Sequence, residues 1–143
     1  MSDLALSVWI RLLKAHGLMM REVRRRVPES LTLPQFDVLA QLARHEDGMT
    51  HGDLTRQLLV TAGNVTGIVD RLAGLGLVER RPVPEDRRAV RVRLTQRGRH
   101  LAQRALPRHK KEVTALLDGV SQDDLARLRD LLGTVARALE GGA

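Results

Sequence analysis

The sequence predicts a mainly α-helical fold that carries one small β-hairpin. Three observations predict it. Apolar residues recur at the 3.6-residue spacing of helices over most of the chain. Between Leu77 and Leu94 the period falls to 2, as in paired strands. Threonine or serine precedes most apolar runs, at Thr32, Thr50, Thr61, Thr95 and Ser121. An oxygen there can accept from the free N–H groups of a helix start.

The elements follow in order. Leu4 to Val27 reads as a first helix with Leu6, Ile10, Leu13, Leu18 and Met20 on its stripe, ended by Pro28 and Ser30. Arg21, Arg24, Arg25 and Arg26 lie near its C-terminus, where cations suit the helix dipole. Thr32 and Gln35 have capping-box spacing, with Pro34 tolerated in the first turn. This second helix buries Phe36, Leu39, Leu42 and Ala43 and ends near Gly48. Thr50 and Asp53 open a short third helix with Leu54 and Leu58 inward. Thr61 is expected to cap a fourth, running to about Gly74 on Val65, Ile68, Val69 and Leu72.

Leu77 to Arg81 then reads as a strand broken by Pro82 and Pro84, and Val90 to Leu94 as its partner, with Val90, Val92 and Leu94 inward. The loop between them spans Pro84 to Ala89. Thr95 can cap a long helix reaching about Leu117, which Pro107 should kink or interrupt. Ser121 and Asp124 open a last helix striped by Leu125, Leu128, Leu131, Leu132, Val135 and Leu139. Gly141 to Ala143 form a tail.

Composition narrows the function. The 143 residues can bury a real core. Cysteine is absent, which excludes disulfides, thiolate metal sites and thiol redox sensing in this chain. No apolar run approaches a membrane span, and no signal pattern opens the sequence, so the expected location is the cytoplasm. Trp9 and Phe36 are the aromatic residues, too few for a surface that stacks the bases of single strands. The net charge is +7, and residues 51–100 hold ten basic against five acidic side chains. A localised, arginine-rich surface points to a polyanionic partner.

Two short helices joined by a turn and followed by a hairpin describe a winged helix-turn-helix. Leu54, Leu58, Val60, Val65 and Ile68 have the apolar spacing of such a unit starting at His51. Thr55 and Leu59 stand where the motif usually has a small residue and a turn glycine. The second helix would enter the major groove by its N-terminal end. Thr61, Ala62, Gly63, Asn64, Thr66 and Gly67 are therefore candidate DNA-binding residues. Asn64 suits adenine, and the glycines allow close approach. Arg71 could reach a phosphate, or pair with Asp70 or Glu79. In the hairpin, Arg87 or Arg88 suits a narrow minor groove, with Asp86 orienting one of them.

The stretch VTAGNVTGIVDRLAGLGLVERRPVPEDRRAVRVRLTQRG resembles the signature region of the MarR family. Its hallmarks are Asp86-Arg87-Arg88, followed by Val92-Arg93-Leu94-Thr95, with Asp70-Arg71-Leu72 and Gly76 to Arg80 before them. Leu31 to Leu42 resembles the family's second helix. The resemblance implies a single domain over residues 1–143, with a DNA-binding lobe at 32–98 and dimerisation helices at 1–30 and 99–143. It implies a homodimer on a pseudo-palindromic operator, acting as a ligand-responsive repressor. It also implies a small aromatic or phenolic effector, for which Trp9, Leu13, His16, Phe36 and Arg44 are candidate liners. No other cofactor, catalytic array or metal site is expected. The alternatives are a zinc-responsive regulator, for which the five histidines lack a ligand array, and a winged helix that binds protein. The threonine, asparagine and arginine of the recognition face favour DNA.

Overall fold

The computed structural model describes residues 3–27, 31–58 and 64–141, the side chains of Arg87 and Arg88 excepted. Its elements are α1 (Asp3–Arg24), α2 (Leu33–Ala43), β1 (Met49–Thr50), α3 (His51–Gln57), α4 (Val65–Gly74), β2 (Val78–Val83), β3 (Asp86–Leu94), α5 (Gln96–Leu116) and α6 (Gln122–Glu140). The result is a mostly helical chain with a small antiparallel sheet, as the sequence predicts. The chain divides into two units, residues 1–112 and 113–143.

Local hydrogen bonds start the helices where the sequence puts most of the caps. Thr32 Oγ1 accepts from the Gln35 N–H at 3.3 Å, and Gln35 Oε1 accepts from the Thr32 N–H at 3.0 Å. Thr50 and Asp53 make the same reciprocal pair at 3.1 and 3.2 Å. Ser121 Oγ accepts from the Asp124 N–H at 3.1 Å. The start of α4 differs from the expectation. The helix begins at Val65, and its cap is Asn64, whose Oδ1 accepts from the Gly67 N–H at 2.8 Å. Thr61 itself lies outside the described residues, as do Ala62, Gly63, Leu59 and Val60.

The core sits where α2, α3 and α4 meet the sheet. Val38, Leu54, Val69, Leu72 and Val92 are wholly buried, and Phe36, Leu39, Leu42 and Leu94 nearly so. Burying one such aliphatic side chain contributes about 1.5–3 kcal/mol. Helix α2 ends at Ala43, before Gly48. The chain then turns through Gly48, whose φ is +88° and whose hydrogens face the Val92 carbonyl; a Cβ would lie 2.7 Å from that oxygen. This turn delivers β1, a strand too short for the sequence to announce, onto β3 with Met49 opposite Val92.

The strand order is β1-β3-β2, so β2 is an edge. That position explains why Pro82 does not end it, contrary to expectation. An edge strand tolerates the missing N–H, and the register shifts between Pro82 and Val83. The hairpin turns at Pro84 and Glu85, and β3 begins at Asp86. Arg87 and Arg88 therefore belong to the strand and not to a loop reaching Ala89. Val90, expected inward, is 37% exposed. Burial along the hairpin falls off toward the turn, so alternation holds for Val92 and Leu94 but not for Val90. Pro107 does not interrupt α5 either. It removes one backbone donor from an exposed stretch, and the helix runs on to Leu116.

Thr95 joins the sheet to α5. Its N–H donates to the Leu77 carbonyl at 3.1 Å and its hydroxyl to the Gly76 carbonyl at 2.6 Å. The Gly98 N–H donates to the same hydroxyl oxygen at 3.1 Å, and the Arg99 N–H to the Thr95 carbonyl at 2.8 Å. The first turn of α5 passes so close to Leu77 that a Cβ on Gly98 would lie 1.9 Å from its carbonyl oxygen.

Candidate nucleic-acid interface

Helices α3 and α4 pack on each other and on the sheet, which leaves one outward face on α4. Val65, Val69 and Leu72 point inward. Thr66, Asp70 and Arg71 are exposed. Thr66 and Asp70 are four residues apart and share a face. An open groove of about 570 Å³ is bounded by Thr50, His51 and Gly52 at the start of α3, Thr66 on α4, and Arg80, Ala89 and Val90 on the hairpin. One surface thus brings together a helix that could enter a major groove and a hairpin beside it.

Asn64 and Gly67 of the sequence-predicted readers act on each other. Asn64 spends its side-chain oxygen on the cap, and a Cβ on Gly67 would meet Asn64 Nδ2 at 2.5 Å. The glycine therefore makes room for the cap. Asn64 keeps its amide N–H groups as donors, whereas Thr66 keeps a hydroxyl that both donates and accepts. Arg71 is exposed and makes no ion pair among the described residues, neither with Asp70 nor with Glu79. Asp86 is exposed just past the turn. The side chains of Arg87 and Arg88 lie outside the described residues, and so does any contact they make with it.

The sequence reading missed what Asp70 and Glu79 do. Asp70 pairs with Arg80 across the α4–β2 junction. Glu79 accepts from Arg93 Nε at 2.7 Å and from Arg81 Nη2 at 3.2 Å. The Arg93 hydrogen bond, helped by the Arg81 charge, holds the Glu79 carboxyl below its ordinary pKa. Cross-strand register was the available signal, because Glu79 lies opposite Arg93 on the same pair of strands. On α3, the Thr50 backbone N–H and hydroxyl hold the Asp53 carboxyl low, and Arg56 contributes at 2.6 Å.

The five expected effector residues do not converge. Trp9, Leu13 and His16 are exposed at helical spacing on α1. Arg44 is exposed at the C-cap of α2. Phe36 is buried and meets the His109 ring edge-on, with centroids 5.0 Å apart. Those two rings line a cavity of about 500 Å³ with Arg25, Arg26, Arg104 and Arg108. Among the described residues no group of three or more His, Asp or Glu is arranged to hold a metal ion, and no helix is long and apolar enough to cross a membrane.

Known proteins resemble this chain in sequence and fold. The family model described as MarR family matches residues 29–89. The HTH-type transcriptional regulator PecS of Dickeya dadantii is 31% identical over 111 residues, covering 76% of this chain and 67% of its own. The first curated relatives are longer proteins, and the chain spans between 58% and 67% of their length. Among solved structures, a MarR family transcriptional regulator from Silicibacter pomeroyi is 31% identical with a TM-score of 0.82, covering 96% of each chain. PcaV from Streptomyces coelicolor, solved with its natural ligand, is 27% identical with a TM-score of 0.73, covering 92% of this chain and 91% of its own. The chain belongs to the MarR family of helix-turn-helix transcriptional regulators.

Proposed function

We propose that this chain is a ligand-responsive repressor that binds a pseudo-palindromic operator as a homodimer in the cytoplasm, without a catalytic step. The observation that carries DNA binding is the outward face of α4 set beside the hairpin, in the segment that holds most of the net positive charge. Reading would fall to the residues before α4 with Asn64, Thr66 and Gly67, and phosphate or minor-groove contact to Arg71, Arg87 and Arg88, with Asp86 beside them.

Exposed apolar side chains support the dimer. On α1, Leu4 is 76% exposed and Trp9 58%; on α6, Leu131 is 64% exposed and Leu139 74%. Apolar stripes of that size on two helices favour a second copy of the same chain. The effector reading draws on the cavity beside Phe36 and His109. Its rings offer an apolar wall, and Arg104 offers a guanidinium group to an acidic substituent, beside Arg25 and Arg26, which pair with Glu22, and Arg108, which pairs with Glu112. That PcaV was solved with its natural ligand supports an effector in this fold. A small aromatic or phenolic acid fits the chemistry of the cavity.

The test is selection of bound duplexes from a randomised library by the purified chain, with mass determined by sedimentation. The expected outcome is a two-fold related sequence with half-sites about 10 bp apart, bound by a dimer with an affinity that falls steeply with salt. Recovery of no preferred sequence, or binding by a monomer, would sink the reading. Release of the selected duplex by salicylate-like acids tests the effector, and Arg104→Ala should blunt that release.

A further inference from the structure

We infer that the Asp70–Arg80 ion pair sets how much sequence-independent backbone attraction this surface has for DNA. The inference rests on α4 being the helix that reads the operator. Asp70 is an acidic group on the outward face of α4, one turn from Thr66. Its side chain is 60% exposed, and that of its partner Arg80 is 34% exposed. Arg80 and Thr66 border the same open groove.

A pair this exposed is screened by water and adds little to stability. A carboxylate there is nevertheless unfavourable to every phosphate that approaches. It acts twice: it repels the backbone, and it occupies the guanidinium that would otherwise bind it. Backbone attraction is the part of DNA binding that ignores sequence, whereas contacts with base edges carry the sequence. Asp70 thus weakens the first and leaves the second alone.

The neighbouring charges single out this pair. On α3, Arg56 is held by Asp53. On the sheet, Arg81 and Arg93 share Glu79. On α4, Arg71 makes no ion pair among the described residues. Arg80 is the cation bordering the groove whose availability Asp70 controls.

The test uses the full chain, a duplex that it selects from a randomised library, and a scrambled duplex of the same composition. Affinities are measured over a salt series for the wild type, Asp70→Asn and Asp70→Asn/Arg80→Gln. Asp70→Asn should bind the scrambled duplex about 3–10-fold more tightly at low salt, with a salt slope steeper by about 0.9, the value for one added phosphate contact. The selected duplex, which has the same backbone, should tighten by a similar factor, so the preference for it should hold. The double variant should return to the wild-type slope. Asp70→Ser repeats the measurement should Asp70→Asn melt early. An unchanged slope, or weaker binding to either duplex, overturns the inference. Failure of the wild type to select any sequence would instead overturn the operator reading.

Discussion

Thr95 donates its hydroxyl proton to the Gly76 carbonyl, 2.6 Å away, while the oxygen of the same hydroxyl accepts the Gly98 N–H. One side chain therefore satisfies the turn before β2 and the first turn of α5. Thr95→Val keeps the shape but leaves both groups without that partner. The loss expected is about 1–2 kcal/mol, combining a cap with a hydrogen bond. Thr95→Ser should recover most of it. Thermal melts check this, and a valine variant as stable as the serine variant would contradict the role. Gly98→Ala should be worse than either, because its Cβ would overlap the Leu77 carbonyl.

The hairpin gives a second prediction through two residues of one strand. Leu94 is 6% exposed and Val90 37%. Leu94→Ala should cost about 2–5 kcal/mol, as buried leucine truncations do. Val90→Ala should change stability by about 0.5 kcal/mol or less. Urea unfolding of the two variants distinguishes them, and equal midpoints would refute the register.

Acid sensitivity should track Glu79 and Asp53. Both carboxyls have folded pKa values below their unfolded ones, Glu79 through Arg93 and Asp53 through the Thr50 N–H. A depressed carboxylate adds stability that is fully present above its unfolded pKa. That stability is lost as pH falls through the folded pKa. Stability should therefore decline on acidification below the ordinary carboxylate range, and less so in Glu79→Gln. Unfolding midpoints measured from neutral to acidic pH check this, and parallel pH profiles for the two proteins would count against it.

Most helix caps, that of α4 excepted, were legible in the sequence because each depends on two residues three positions apart. Thr32 with Gln35 and Thr50 with Asp53 form as expected. What was not legible depended on partners distant in sequence. β1 exists because Gly48 turns Met49 onto Val92, and two residues carry no period of their own. Pro82 signals a strand end unless the strand is an edge, which only the sheet order decides. The sequence points to the proposed interface as a segment and less so by residue. Asp70 pairs with Arg80 across an element boundary, where local spacing says nothing. The effector candidates were inferred from family architecture and from the two aromatic residues. Of these, Phe36 borders a cavity whose arginines come from α5 and the turn after α1.

Asn64 separates capping from reading. Its Oδ1 caps α4 through the Gly67 N–H, and its amide N–H groups are donors that a base could use. Asn64→Ala removes both functions and should lower stability by about 1 kcal/mol. Asn64→Asp keeps the accepting oxygen and suits the positive end of the helix dipole, so its melt should match or exceed the wild type. Aspartate has no N–H to donate and places a negative charge toward DNA. If Asn64 contacts a base, Asn64→Asp should lose binding to the selected duplex while remaining as stable as the wild type. Asn64→Ser, which caps with a shorter reach, should bind between the two. Wild-type affinity in the stable aspartate variant would leave Asn64 as a cap alone and move base reading to Thr66 and the residues before α4.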